Sequence, residues 1–236
     1  MDSEWHIRRQ IVEFARRTHD KGFVAATDGN VSHRLHGDRI LVTPSGHSLG
    51  ELEPRDLVCV DLAGRFLSGA HRPTSELALH LTVYQSRADV NAALHAHPPI
   101  ANAFSFAGQT LDQCVIPEVV IGFGTIPTTA YATPSSEEGA QVIRELIKDH
   151  DGLLLQRHGS LTVGATLRDA YYKLEKIEHA AVITLAARQL GHVIPLSPDE
   201  IRRLAAVSER YGWAQGPSVL QACGVLNSQA DRVNSC

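Results

Sequence analysis

The chain has 236 residues, 43% of them hydrophobic, with a formal net charge of −4. That length suits one α/β domain with a large buried core. With no block of like charge it argues against a nucleic-acid footprint or a polybasic membrane patch, and no apolar run approaches the ~18–20 residues of a membrane span.

The N-terminal stretch MDSEWHIRRQ is charged and amphipathic and does not read as a signal peptide. Residues 4–21 place Trp5, Ile7, Ile11, Phe14 and Ala15 near helical spacing, and Gly22 stops that helix. Two short strand runs follow around a turn at His36-Gly37-Asp38, and LVCVDLAGRFL predicts a second hairpin turning at Ala63-Gly64. A helix is predicted from about Thr74 to Gln85. VNAALHAH reads as a strand, and Pro98-Pro99 opens a helix running to about Phe106. QCVIPEVVIGFGTIP reads as extended and glycine-broken. PSSEEGAQVIRELIKDH carries a serine cap and an acidic first turn, so it predicts a helix. GLLLQRHGSLTVG gives two strand runs around Arg157-His158-Gly159. A long helix over LRDAYYKLEKIEHAAVITLAARQLG closes at Gly191, and SPDEIRRLAAVSERYG gives a last, serine-capped helix. Beyond Trp213 the chain turns small and polar and reads as a loose tail. The irregular mixture of elements disfavours a strict βαβ repeat. Cys59, Cys114, Cys223 and Cys236 show no CxxC pairing, which predicts free thiols in a reducing cytoplasm.

Histidine is unusually frequent, at 13 residues, and three of these draw interest. In a strand, residues i and i+2 share a face, so His95 and His97 project together with Leu94 and Ala96 opposite. That spacing suits two ligands of one metal ion. His158, in a tight bend between strand runs, is the natural candidate for a third. Pro73-Thr74-Ser75 reads as a helix start that could hold a phosphate, with Glu76 beside it; ordinary capping explains the same residues. Glu76 and His80 share a helix face, and His80 reads as structural. The loops DGNVS (28–32) and TPSG (43–46) offer Gly29, Asn30, Thr43, Ser45 and Gly46 to an anion.

Six short motifs stand in order: Gly29-Asn30-Val31-Ser32, Thr43-Pro44-Ser45-Gly46, Thr74-Ser75-Glu76, His95-Ala96-His97-Pro98, Tyr131-Ala132-Thr133-Pro134 and His158-Gly159. Together they resemble the class II aldolase/adducin family, in particular its L-fuculose-1-phosphate aldolase branch, over roughly residues 5–212. The resemblance implies one catalytic domain over residues 1–212 with a tail over 213–236. It implies a mixed, mainly antiparallel sheet flanked by helices in three layers, and a cytoplasmic homotetramer with active sites between subunits. It further implies that His95, His97 and His158, with Glu76 as a further ligand, hold a divalent ion, Zn2+ first and Mn2+ or Co2+ next. Glu76 would be the acid/base residue, and Asn30, Ser45, Gly46, Thr74 and Ser75 would hold the substrate phosphate.

The reaction implied is cleavage of a ketose 1-phosphate to dihydroxyacetone phosphate and an aldehyde, the ion stabilising the resulting enediolate as a Lewis acid. One departure concerns the aldehyde end. The tyrosine that the fuculose-phosphate aldolases place there is missing near Ile116. Glu118 is the nearest ionisable group, and Tyr211 resembles the C-terminal Tyr-Gly of those enzymes. The substrate expected is therefore fuculose-1-phosphate-like or a 5-deoxy- or methylthio-pentulose 1-phosphate, with Phe106, Ile116, Ile121 and Phe123 suited to an apolar tail. A methylthioribulose-1-phosphate dehydratase using Glu118 is the alternative, and a non-enzymatic adducin-like scaffold a distant third.

Overall fold

The computed structural model describes residues 3–212 and 219–225. Seven strands form one sheet: β1 (Asn30–Arg34), β2 (Arg39–Val42), β3 (Val58–Asp61), β4 (Phe66–Ser68), β5 (Ala92–Ala96), β6 (Gly152–Leu155) and β7 (Gly159–Gly164). Their order is β4-β3-β2-β1-β5-β7-β6. Every ladder between these strands is antiparallel. The parallel contact among the described residues is an isolated bridge, Thr128 to Leu154. The sheet is thus antiparallel rather than mixed.

Both faces of the sheet are covered, which explains why its strands are apolar on both sides. Leu41, Cys59, Leu94 and Ala96 face α1 (Glu4–Asp20) and α6 (Leu167–Leu190), meeting Ile11, Phe14, Tyr171 and Leu174. Their strand neighbours Ile40, Val42, Val58, Val60 and Ala93 face the other way, onto Leu79 and Val83 of α2 (Leu77–Ser86) and Ile143 of α5 (Glu137–Ile143). The layers are therefore helix, sheet, helix. Local chemistry sets the helix ends: Ser3 caps α1, Thr166 caps α6, and Ser197 with Glu200 forms a capping box at α7 (Pro198–Tyr211). No helix among the described residues is long and apolar enough to cross a membrane.

Four local expectations are corrected. The helix placed at Thr74 begins at Leu77; Thr74 to Glu76 form a turn, with Leu77 N–H donating to the Thr74 carbonyl at 3.2 Å. The stretch read as extended contains α4 (Pro117–Phe123). Seven residues are too few to display a helical period, although Pro117 at the first position is a helix-start signal. The segment read as a loose tail holds α8 (Val219–Ala222), packed with α4 and α7 around Val120, Ile201 and Val219; residues 213–218 and 226–236, including Cys236, lie outside the described residues. Cys114 and Cys223, expected as free thiols, form a disulfide with Cα atoms 5.8 Å apart. Only the fold could bring together residues 109 apart in sequence. Cys59 stays free and buried. Between β5 and α4, α3 (Pro99–Phe106) starts at the double proline, as predicted.

Candidate metal centre and active site

The site forms where β1 begins, β5 ends and β7 begins. Antiparallel pairing sets Asn30 opposite His95 and Ala96 opposite Ser160. The period-two expectation holds: Leu94 and Ala96 are buried against α1 and α6, while the His95 and His97 Nε2 atoms lie 3.0 Å apart on the other side. His158 joins them from the bend between β6 and β7, its ring centroid 4.7 Å from that of His95. One ligand atom from each histidine lies within 4.8 Å of the others. Glu76, at the entry to α2, reaches in from above, with Oε2 3.0 Å from His95 Nε2 and Oε1 3.3 Å from His158 Nε2.

Two glycines make this convergence possible. A Cβ on Gly159 would meet the Ala96 carbonyl at 2.6 Å, His97 Cδ2 at 2.7 Å and His95 Cε1 at 2.9 Å. Gly29 takes φ +76 and would meet Val24 at 2.5 Å and the His95 carbonyl at 2.9 Å. The bend carrying His158 is held from α3: Asn102 donates to the His158 carbonyl at 3.0 Å, and Ser105 Oγ accepts from the Arg157 N–H at 3.1 Å. Arg157 itself sits at φ +55, a costly conformation for a residue with a side chain.

The donor chemistry of the cluster fits a cation. His95 Nδ1 faces the Ser160 carbonyl at 3.0 Å and must donate to it, so the neutral ring turns a lone pair at Nε2 inward. There it meets a carboxylate and another imidazole nitrogen, acceptors facing acceptors. His97 Nδ1 lies 3.5 Å from Asp28 Oδ2, a carboxylate–histidine pairing that likewise aims Nε2 at the centre. Separations of 3.0 and 3.3 Å are the size expected between atoms sharing one ion at bond lengths of about 2 Å.

The protonation states agree. Burial, reinforced by His95, lowers His158 to about 4. Burial, again with His95, lowers His97. Both rings are therefore neutral near pH 7. Burial works against ionising Glu76, but positive charge at the His95 Nε2 position, whether a proton or a bound cation, and the amide of Asn30 hold its carboxyl well below the usual range.

Of the residues expected to hold a phosphate, Asn30 donates to Glu76 and Thr74 and Ser75 directly precede it, while Ser45 and Gly46 stand on the neighbouring loop. The loops at 43–46 and 72–76 run side by side, joined by Ser45 N–H to the Arg72 carbonyl at 3.0 Å and Thr74 N–H to the Thr43 carbonyl at 3.1 Å. Ser45, Gly46 and Ser75 are exposed, whereas Thr74 is buried, its hydroxyl accepting from the Glu76 N–H. Ser75 Oγ accepts from Ser135 at 2.9 Å. Asn30 is buried, and its amide serves Glu76, donating to Oε2 at 2.9 Å. The structure does not bring Glu118 or Tyr211 into this cluster. Glu118 is exposed in the first turn of α4, its carbonyl accepting from Lys176 of α6. Tyr211 ends α7, and the adjoining Gly212 borders a cavity with Arg87, Asp151 and Lys173 at the opposite end of the sheet. Sequence reasoning did not single out Asp28 or Asn102; no local signal marks either, since each acts on a histidine from a different element.

The sequence profile described as "Class II Aldolase and Adducin N-terminal domain" matches residues 9–185. The chain therefore belongs to the class II aldolase and adducin family. It is 34% identical over 181 residues to the L-fuculose phosphate aldolase of Methanococcus maripaludis, covering 77% of this chain and 97% of the relative. It is 30% identical over 209 residues to the 5-deoxy-D-ribulose 1-phosphate aldolase of Bacillus thuringiensis, covering 87% and 96%. The 3-oxo-tetronate 4-phosphate decarboxylase of Escherichia coli is 31% identical over 183 residues, covering 75% and 85%. In fold, a solved L-fuculose 1-phosphate aldolase superposes with a TM-score of 0.80 at 24% identity, covering 90% of this chain and 98% of that one.

Proposed function

We propose that this chain is a divalent-metal-dependent lyase that cleaves a ketose 1-phosphate to dihydroxyacetone phosphate and an aldehyde. The observation that carries this reading is the convergence of three imidazoles and Glu76 beside the two hydroxyl-bearing loops. His95, His97, His158 and, in the resting enzyme, Glu76 would hold the ion, Zn2+ first and Mn2+ or Co2+ next. When bound, the ion supplies Lewis acidity toward the ketone and hydroxyl oxygens of the substrate. Ser45, Gly46, Thr74 and Ser75, with the remaining amide proton of Asn30, anchor the phosphate, fixing the orientation of the reacting carbons. Glu76 returns a proton to the carbon beside the ketone during cleavage and removes it in the reverse condensation. Its low proton affinity and its hydrogen bond from Asn30 keep the carboxylate ionised and aimed at that carbon.

Fuculose 1-phosphate and 5-deoxy-pentulose 1-phosphates are the substrates to test first, because relatives of those names match most of the chain. We assign Glu118 and Tyr211 a part at the leaving aldehyde only across a subunit boundary of a cytoplasmic homotetramer, since neither joins the cluster within its own chain. The decarboxylase relative favours a second reading. Loss of CO2 from a 3-keto acid phosphate also leaves negative charge on the carbon beside a ketone, and the same residues would serve it.

One experiment separates these readings: incubate the metal-loaded protein with each phosphorylated ketose and keto acid and analyse both products. Dihydroxyacetone phosphate with an aldehyde supports the aldolase. Release of CO2 supports the decarboxylase, and loss of water supports the dehydratase. Turnover that survives complete removal of divalent ions would overturn the mechanism.

A further inference from the structure

The buried side chains behind Glu76 form one line of hydrogen bonds whose direction is decided at its end. An ionised carboxylate only accepts, so the Asn30 group 2.9 Å from Glu76 Oε2 is the amide nitrogen. The amide oxygen then points the other way, onto His80 Nε2 at 2.5 Å. That oxygen also only accepts, so Nε2 carries the ring proton. Nδ1 of the neutral ring is then an acceptor, and Ser32 Oγ at 2.6 Å donates to it. With the serine proton spent, Ser32 accepts from the Tyr84 hydroxyl at 2.7 Å. All four members are buried: Ser32 and His80 at 0% exposure, Tyr84 at 2% and Asn30 at 4%.

We propose that His80 is a positioning residue for Glu76. It holds the Asn30 amide nitrogen-first toward the carboxylate, and Ser32, backed by Tyr84, supplies the proton that Nδ1 of the resulting Nε2–H tautomer accepts. A reversed amide would set oxygen against Oε2, acceptor on acceptor, and turn the carboxylate away from the histidines. The proposal rests on the reading of Glu76 as the acid/base group. His80 itself touches none of the candidate metal-binding atoms. Glu76 at the entry to α2, His80 and Tyr84 recur every four residues, so successive turns present them to Asn30 and Ser32, which share one face of β1.

The first test needs no turnover. Ring nitrogen NMR of the protein should show His80 as the Nε2–H tautomer, and an Nδ1–H tautomer overturns the proposal. Glu76→Gln provides a side chain that donates as readily as it accepts, so it should release the direction and give both tautomers. A single unchanged tautomer there also overturns it.

The second test uses turnover. His80→Phe keeps the ring volume without a donor, and His80→Gln keeps an N–H within reach of Asn30. The Phe variant should lose about 10–100-fold in kcat with KM and bound-metal stoichiometry unchanged, and the Gln variant should recover most of it. Equal losses in both variants, or a loss confined to KM, overturn the proposal. Should the Phe variant not fold, Ser32→Ala replaces it: the His80 tautomer should move and kcat should fall, and a moved tautomer with unchanged kcat overturns the proposal. A wild type inactive on every phosphorylated ketose and keto acid would defeat the functional reading, while the two spectra still decide the positioning.

Discussion

The β5–β7 pair carries a buried polar cluster at each end, and the two are built on opposite principles. At the Ala92–Gly164 end, Arg87 donates to Asp89 at 2.7 and 2.8 Å and to Asp151 at 3.0 Å. Lys173 spends its three protons on Asp151, Asp169 and the Val163 carbonyl at 2.8–3.1 Å. Each charge there meets its opposite, so the cluster is closed and fastens α6 to the sheet. At the Ala96–Ser160 end, lone pairs from His95, His97, His158 and Glu76 point at one another, with their outward hydrogen bonds already assigned. A cluster whose donors and acceptors all meet is a fastener, whereas one with converging acceptors is a place for a cation.

That contrast can be broken by exchanging the consequences of mutation. Glu76→Gln should lower kcat by about 10²–10⁴-fold while leaving the melting temperature and metal content near wild type; unimpaired turnover would remove Glu76 from its role. Lys173→Met should do the reverse. It leaves Asp151, whose side chain is 4% exposed, with Arg87 as its remaining charged partner and should cost about 1.5–3 kcal/mol in a denaturant titration, with kcat per folded molecule unchanged. A variant that keeps full stability would make the closed cluster dispensable.

Acid should distinguish the ends by their pH windows. Burial lowers His80 to about 3 and His158 to about 4, whereas both titrate near 6.5 when unfolded. The unfolded chain therefore binds protons that the folded metal-free protein refuses. Stability is fully present above pH 6.5 and is lost as pH falls through that value toward 4 and 3. Asp89, lowered by Arg87, adds stability above its ordinary 3.8 and loses it only below. Destabilisation between pH 6.5 and 4 should thus come from the histidine end, and His80→Gln should flatten it in melts across that range. The smallest effect belongs to the exposed Asp28: Asp28→Asn should weaken divalent-ion affinity about tenfold in a calorimetric titration, without moving the melting temperature.

Much of the centre was legible from local spacing. His95 and His97 share a strand face because the period is two. His158 stood out because it precedes a glycine in a bend, and Glu76 because it follows Thr74-Ser75 at a helix start. The supporting residues were not legible. Asn30 read as an anion donor, yet half its amide serves Glu76, and His80 read as structural because nothing local shows that Asn30 lies against it, 50 residues away. Asp28 and Asn102 escaped notice for the same reason, and α4 was too short to reveal a period.

What the sequence determined by itself was therefore everything that a strand alternation, a helix cap or a turn can express: the two-faced strands, most helix ends, and the ligand-type residues in their order. The tertiary structure alone decided which distant groups meet: Asn30 against His95 through the β1–β5 register, Asn102 behind His158, Cys114 bonded to Cys223, and Glu118 away from the histidines. The reason is physical. Periodicity is a property of the backbone between neighbours, whereas strand order and helix packing depend on the burial of many residues at once, and the local chain does not carry that information.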